Sequence, residues 1–90
     1  MVCAHVFISG DVIGVGFRAW IVANSNELNL TGWVRNVYPR VEAVFEGEKD
    51  KVEEMIERCR QGPEVGFVEN VEVNWQDYKA EFNGFTILRL

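Results

Sequence analysis

The chain is poor in histidine, cysteine, proline and basic side chains. It has one histidine, two cysteines and two prolines in 90 residues, and nine lysines and arginines stand against fourteen acidic residues. Cys3 and Cys59 are too few and too far apart for a metal-ligand cluster, so no resident metal is expected. In a reducing compartment they are expected as two small, partly buried thiols, with a disulfide between the first strand and the second helix as the alternative. His5, set in an apolar strand, is expected as a packed side chain rather than a catalyst. A formal net charge of −5 argues against nucleic acid as a partner, because phosphate-backbone binding needs a dense basic face. Arg58 and Arg60 sit near a helix end, where cations favour the macrodipole, and form no basic stripe. No apolar stretch approaches the roughly 18 residues of a membrane span. The start also lacks the basic-then-apolar pattern of a secretory leader, so a cytoplasmic, membrane-free protein is expected.

What remains is an ordinary globular composition, 48% hydrophobic and 26% charged. Ninety residues suffice for one domain, spanning 1–90, with a thin core and no room for a second lobe. Residues 3–9 carry β-branched and aromatic side chains and read as a strand. Arg18 to Leu30 is the first helix candidate, with Trp20, Ile21, Leu28 and Ala23 on its apolar side and a left-handed terminus expected at Asn29. "GWVRNVY" and "VEAVFEG" form two strands joined at Pro39-Arg40. Lys49 to Gln61 places Val52, Met55, Ile56 and Cys59 at i, i+3, i+4 and i+7 before Gly62-Pro63 ends the helix. Residues 67–75 alternate again, and "FTILRL" supplies a last strand after Gly84. The order β-α-β-β-α-β plus a short terminal β fits an α+β, ferredoxin-like sandwich. Both helices would cover one face of a mainly antiparallel sheet. That fold carries many unrelated functions.

An acidic protein that handles an anion must concentrate positive field locally. "GDVIGVGFRAW", residues 10–20, is the segment suited to it. Glycines at 10, 14 and 16 remove Cβ atoms where the backbone turns from strand to helix. Successive amides of Ile13, Gly14, Val15, Gly16, Phe17 and Arg18 would line an anion-binding concavity at the helix N-terminus. Arg18 would add a planar fork matched to two phosphate oxygens. The loop fits neither the dinucleotide fingerprint nor the nucleotide phosphate loop, and a plain structural turn is the alternative. The second polar cluster is "GWVRN", residues 32–36. Strand alternation sends Arg35 and Asn36 to opposite faces, so only one of them joins a given site. Asn36 is the one that could approach the loop if the second strand ends beside it.

Together, "GDVIGVGFR" (10–18) and "GWVRN" (32–36), in this order and at this spacing, resemble the acylphosphatase family. "VEAVFEG", "CRQGP", "VENVEVNW" and "GFTI" extend the likeness over nearly the whole chain. The resemblance implies hydrolysis of small acyl phosphates to a carboxylate and inorganic phosphate by a monomer without cofactor. It assigns the catalytic arginine to Arg18, the catalytic asparagine to Asn36 and the phosphate cradle to residues 13–18. The chain departs from the family at four points, one of them Asn29, which replaces a usual glycine after the first helix. Asp11 stands where a basic residue is usual, Ile13 where glutamine is usual, and the hairpin after Asn36 is one residue shorter. A carboxylate about 8 Å from a bound phosphate would cost roughly 0.5–1 kcal/mol. An anion- or partner-binding module of the same fold without turnover is the competing expectation.

Overall fold

In the computed structural model, which describes residues 1–89, the elements follow the expected order. They are β1 (Val2–Asp11), α1 (Phe17–Glu27), β2 (Thr31–Val37), β3 (Arg40–Gly47), α2 (Lys49–Gln61), β4 (Phe67–Gln76) and β5 (Phe85–Ile87). The strands form one sheet in the order β4-β1-β3-β2-β5. All neighbours are antiparallel except β2 and β5, which run parallel. The last strand is shorter than "FTILRL" suggests. Leu88 still donates its backbone N–H to the Val34 carbonyl at 2.9 Å, so pairing with β2 runs one residue past the strand.

Alternation along the strands decides which residues meet the helices. Ala4, Val6 and Ile8 of β1 stand beside Phe45, Ala43 and Val41 of β3, and all six are buried. Val52, Met55, Ile56 and Cys59 of α2 complete the core from above, as their spacing requires. From α1 come Phe17, Ile21 and Leu28. Ala23 is exposed instead, and Ser25 takes the buried position, because Phe17, Ile21 and Ser25 recur every four residues on the face turned to the sheet while Ala23 falls off it. Asn29, at φ 57°, ends α1 in the left-handed conformation. Gly32 is fixed by a close approach. A Cβ there would stand 1.8 Å from the Val44 carbonyl oxygen, at a φ of +139°.

The same alternation excludes the disulfide alternative. Cys59 lies in the core among the helix-facing residues, whereas Cys3 is one position out of step with Ala4 and Val6 and faces the opposite side of the sheet. The sheet separates the two thiols, and both are free and buried.

The face turned away from the helices is polar. Here Glu42 of β3, 6% exposed, stands between Phe7 of β1 and Arg35 of β2. Its carboxylate accepts Nε–H of Arg35 and Nε2–H of His5, both at 2.6 Å. His5 is therefore a half-buried packed side chain that hydrogen-bonds Glu42. Burial alone raises the Glu42 carboxyl, but the two hydrogen bonds outweigh it and hold the group below its ordinary value. A carboxylate depressed in the folded state stabilises the fold above its unfolded pKa, and the gain is lost as pH falls through the folded value. Glu42→Gln is expected to lower stability at pH 7 by about 2 kcal/mol. Below about pH 4.5 the difference from the parent should shrink. Thermal melts of both proteins across the acid limb check this.

Candidate active site

The loop between β1 and α1 owes its shape to two glycines. Gly14 and Gly16 have φ of 79° and 78°, while no protein atom lies within 4 Å of where their Cβ atoms would be. The backbone conformation, not crowding, requires glycine there. Ile13 and Val15 pack against the core between them and anchor the loop. Gly16 caps α1 without a side-chain hydrogen bond, and the first helical turn holds no acidic residue. Its leading amides are thus unclaimed, at the end of the helix where the dipole favours an anion.

Asn36 reaches the same place from the sheet. Gly32, Val34 and Asn36 occupy the helix-facing side of β2, and Arg35 lies on the other side against Glu42. A cleft of about 220 Å³ is lined by Gly14, Gly16, Phe17, Arg18 and Asn36, with Val12, Ala19, Ile87 and Arg89 completing it. The side-chain amide oxygen of Asn36 is buried and has no hydrogen-bond partner among the described residues. Among the described residues, no carboxylate lies within ion-pairing distance of Arg18. The cleft therefore gathers two guanidinium groups, a set of backbone amides and one unpaired amide acceptor. Among the described residues its lining includes no carboxylate, thiol or imidazole.

Of the six residues expected in the loop, Gly14, Gly16, Phe17 and Arg18 line the cleft. Ile13 and Val15 do not, because their side chains turn inward. Ile87 and Arg89 escaped the sequence reading. They arrive through the parallel pairing of β5 with β2, which places Ile87 beside Val34 two residues from Asn36. The only signal for Arg89 in the sequence was a basic residue at the end of an apolar strand.

With this geometry the comparisons with known proteins agree. The family model described as Acylphosphatase matches residues 4–87. The chain belongs to the acylphosphatase family. The acylphosphatase of Syntrophobacter fumaroxidans is 51% identical over 85 residues, covering 93% of this chain and 88% of that one. That of Pelotomaculum thermopropionicum is 48% identical, again over 85 residues, with 93% and 92% covered. Among solved structures, the crystal structure of acylphosphatase from Bacillus subtilis matches with a TM-score of 0.94 at 27% identity, covering 99% of this chain and 100% of that one. The acylphosphatase relationship thus spans the fold and both motifs.

Asp11, the loop's departure from the family pattern, is exposed at the end of β1, paired with Phe67 of β4, and absent from the cleft lining. Its charge reaches the cleft only through high-dielectric surroundings and is screened at physiological salt. Asp11→Asn is expected to raise kcat/KM for an acyl phosphate by less than about threefold, a gain that fades in high salt. Steady-state kinetics at two ionic strengths measure it.

Proposed function

We propose that the cleft binds the phosphoryl group of a small acyl phosphate and directs water onto its phosphorus. The observation that carries this reading is the buried, unpartnered amide oxygen of Asn36, set in one cleft with Arg18 and the free amides of the first helical turn. The loop amides and Arg18 hold the phosphoryl oxygens and stabilise the charge they carry in the transition state. Asn36 accepts one hydrogen bond from the attacking water and fixes its line of approach without acting as a strong base. The water oxygen forms the new bond to phosphorus while the bond from phosphorus to the acyl oxygen breaks. Both electrons of that bond leave with the carboxylate, and both protons of the water end on the phosphate product. A carboxylate leaving group has a conjugate-acid pKa near 4, so it departs without a proton donor. This chemistry calls for neither a general acid nor a metal, and it suits a cleft furnished with cations and amides.

The protein acts in this reading as a cytoplasmic monomer, with inorganic phosphate as product and competitive ligand. Its net charge of −5 supports small-molecule substrates over nucleic acid. Among the described residues, no helix is long and apolar enough to cross a membrane. A cleft of about 220 Å³ holds a phosphoryl group and leaves little space to read the acyl chain, which supports broad specificity.

Hydrolysis of benzoyl phosphate in isotopically labelled water tests the reading. Turnover that persists in excess EDTA, with the label in phosphate rather than benzoate, is the expected result. Label in benzoate would mean attack on the carbonyl carbon and would overturn the assignment, as would loss of turnover on chelation.

A further inference from the structure

The face of the sheet opposite the helices carries a second, larger concavity. The β4–β5 crossover, residues 77–84, has no helix or strand of its own and passes over this face. Beneath it lies a pocket of about 490 Å³ whose lining includes Cys3, Trp33, Val44, Glu46 and Phe82. The acylphosphatase cleft shares no residue with it.

Glu46 is the feature that calls for a ligand. The glutamate is 2% exposed; one of its oxygens accepts the Lys79 backbone N–H at 3.3 Å, and the neighbouring Cys3 thiol serves the carboxylate only as a weak donor. Oε1 is buried with no partner. Glu42, four residues earlier on the same face of β3, shows what a satisfied carboxylate looks like in this sheet. It is paired twice at 2.6 Å, to His5 and Arg35. Among the described residues, no cationic side chain lies within ion-pairing distance of Glu46. A buried charge without a counter-charge costs several kcal/mol, and a cation entering the pocket would recover it. The rest of the lining has the same preference. Asp77 and Glu81 add negative charge against the ammonium of Lys79 and the His5 ring, and Phe82 adds an aromatic side chain beside Trp33, over whose ring the Arg35 guanidinium lies at 5.5 Å. Burial, the Glu46 charge and the thiol's own hydrogen bond to Glu46 push the Cys3 thiol up to about 11, so it stays neutral.

We propose that this pocket binds a primary ammonium ion carried on a short apolar or aromatic body, with Glu46 Oε1 as hydrogen-bond acceptor and Trp33 and Phe82 packing the body. The ammonium donates to Oε1, and the crossover shifts to admit it. The crossover makes this possible because its backbone is pinned by few hydrogen bonds, the Lys79 contact to Glu46 among them.

Benzylamine is the probe, with benzyl alcohol as its uncharged isostere, each titrated into the full chain and followed by amide and indole chemical shifts. Benzylamine is expected to move the Cys3, Trp33 and Lys79 signals and leave Gly14, Gly16 and Arg18 unmoved. It should bind at least tenfold more tightly than the alcohol. Glu46→Gln, judged folded by its spectrum, should weaken benzylamine at least tenfold while benzoyl phosphate hydrolysis stays within twofold of the parent. Equal binding of amine and alcohol would overturn the proposal. So would shifts confined to the cleft, retained affinity in Glu46→Gln, or no binding at millimolar amine. The comparison of amine with alcohol on the parent chain keeps the test decisive should that variant fail to fold.

Discussion

Arg18→Gln is expected to lower kcat/KM for benzoyl phosphate by about 10³- to 10⁴-fold. The size follows from what the guanidinium meets in the cleft. Arg18 is half-buried at the start of α1, and among the described residues no carboxylate pairs with it, so its charge is available to the phosphoryl oxygens. Arg89 adds a second positive charge from an exposed position, where solvent screens it, and is not expected to substitute for the lost fork. Part of the loss should appear as weaker inhibition by inorganic phosphate, which meets the same donors in the ground state. Arg18→Lys keeps the charge but loses the bidentate geometry, and should recover about tenfold of the lost rate. Thermal stability should change little, because the side chain takes part in no ion pair among the described residues. A rate within tenfold of the parent for Arg18→Gln would remove the residue from the mechanism.

Asn36→Ala separates catalysis from binding. Its amide oxygen is assigned to water, not to phosphate, so kcat should fall about 10³-fold while KM changes less than about threefold. Stability should move the other way. An unpartnered buried amide oxygen costs about 1–3 kcal/mol, and alanine removes it. A melting temperature equal to or above the parent's, together with a collapsed kcat, is the expected signature. A variant that melts lower and keeps its kcat would mark Asn36 as structural. Single-turnover measurements at saturating benzoyl phosphate distinguish the two.

Local pattern carried most of the fold. The apolar spacing of Val52, Met55, Ile56 and Cys59 identified α2, and alternation in "VEAVFEG" set Val41, Ala43 and Phe45, which meet the helices, apart from Glu42, Val44 and Glu46, although both sets are buried. The two halves of the cleft were legible because each sits in a compact motif: Gly14 to Arg18 in one, Asn36 in the other. The features that were missed depend on long-range register. Arg89 joins the cleft only because β5 runs parallel to β2, and the irregular crossover that brings it there has no periodicity to read. The His5–Glu42–Arg35 network joins three strands, and nothing local relates positions 5, 35 and 42. The separation of Cys3 from Cys59 follows from the phase of β1, which becomes decisive only when α2 is known to cover the other face. Asp11 was read by sequence proximity to the loop, and its pairing with Phe67 turns it away from the cleft lining.

The parallel placement of β5 against β2 also affects how activity emerges as the chain folds. The cleft draws on Val12, Gly14 and residues 16–19, on Asn36, and on Ile87 with Arg89, so its walls come from nearly opposite ends of the sequence. Closing such a loop is entropically slow compared with forming the β2–β3 hairpin or α2. In a refolding experiment, helical signal should therefore precede recovery of hydrolysis, and the last kinetic phase should be the docking of β5. Enzymatic turnover then reports the completion of folding more strictly than any measure of secondary structure.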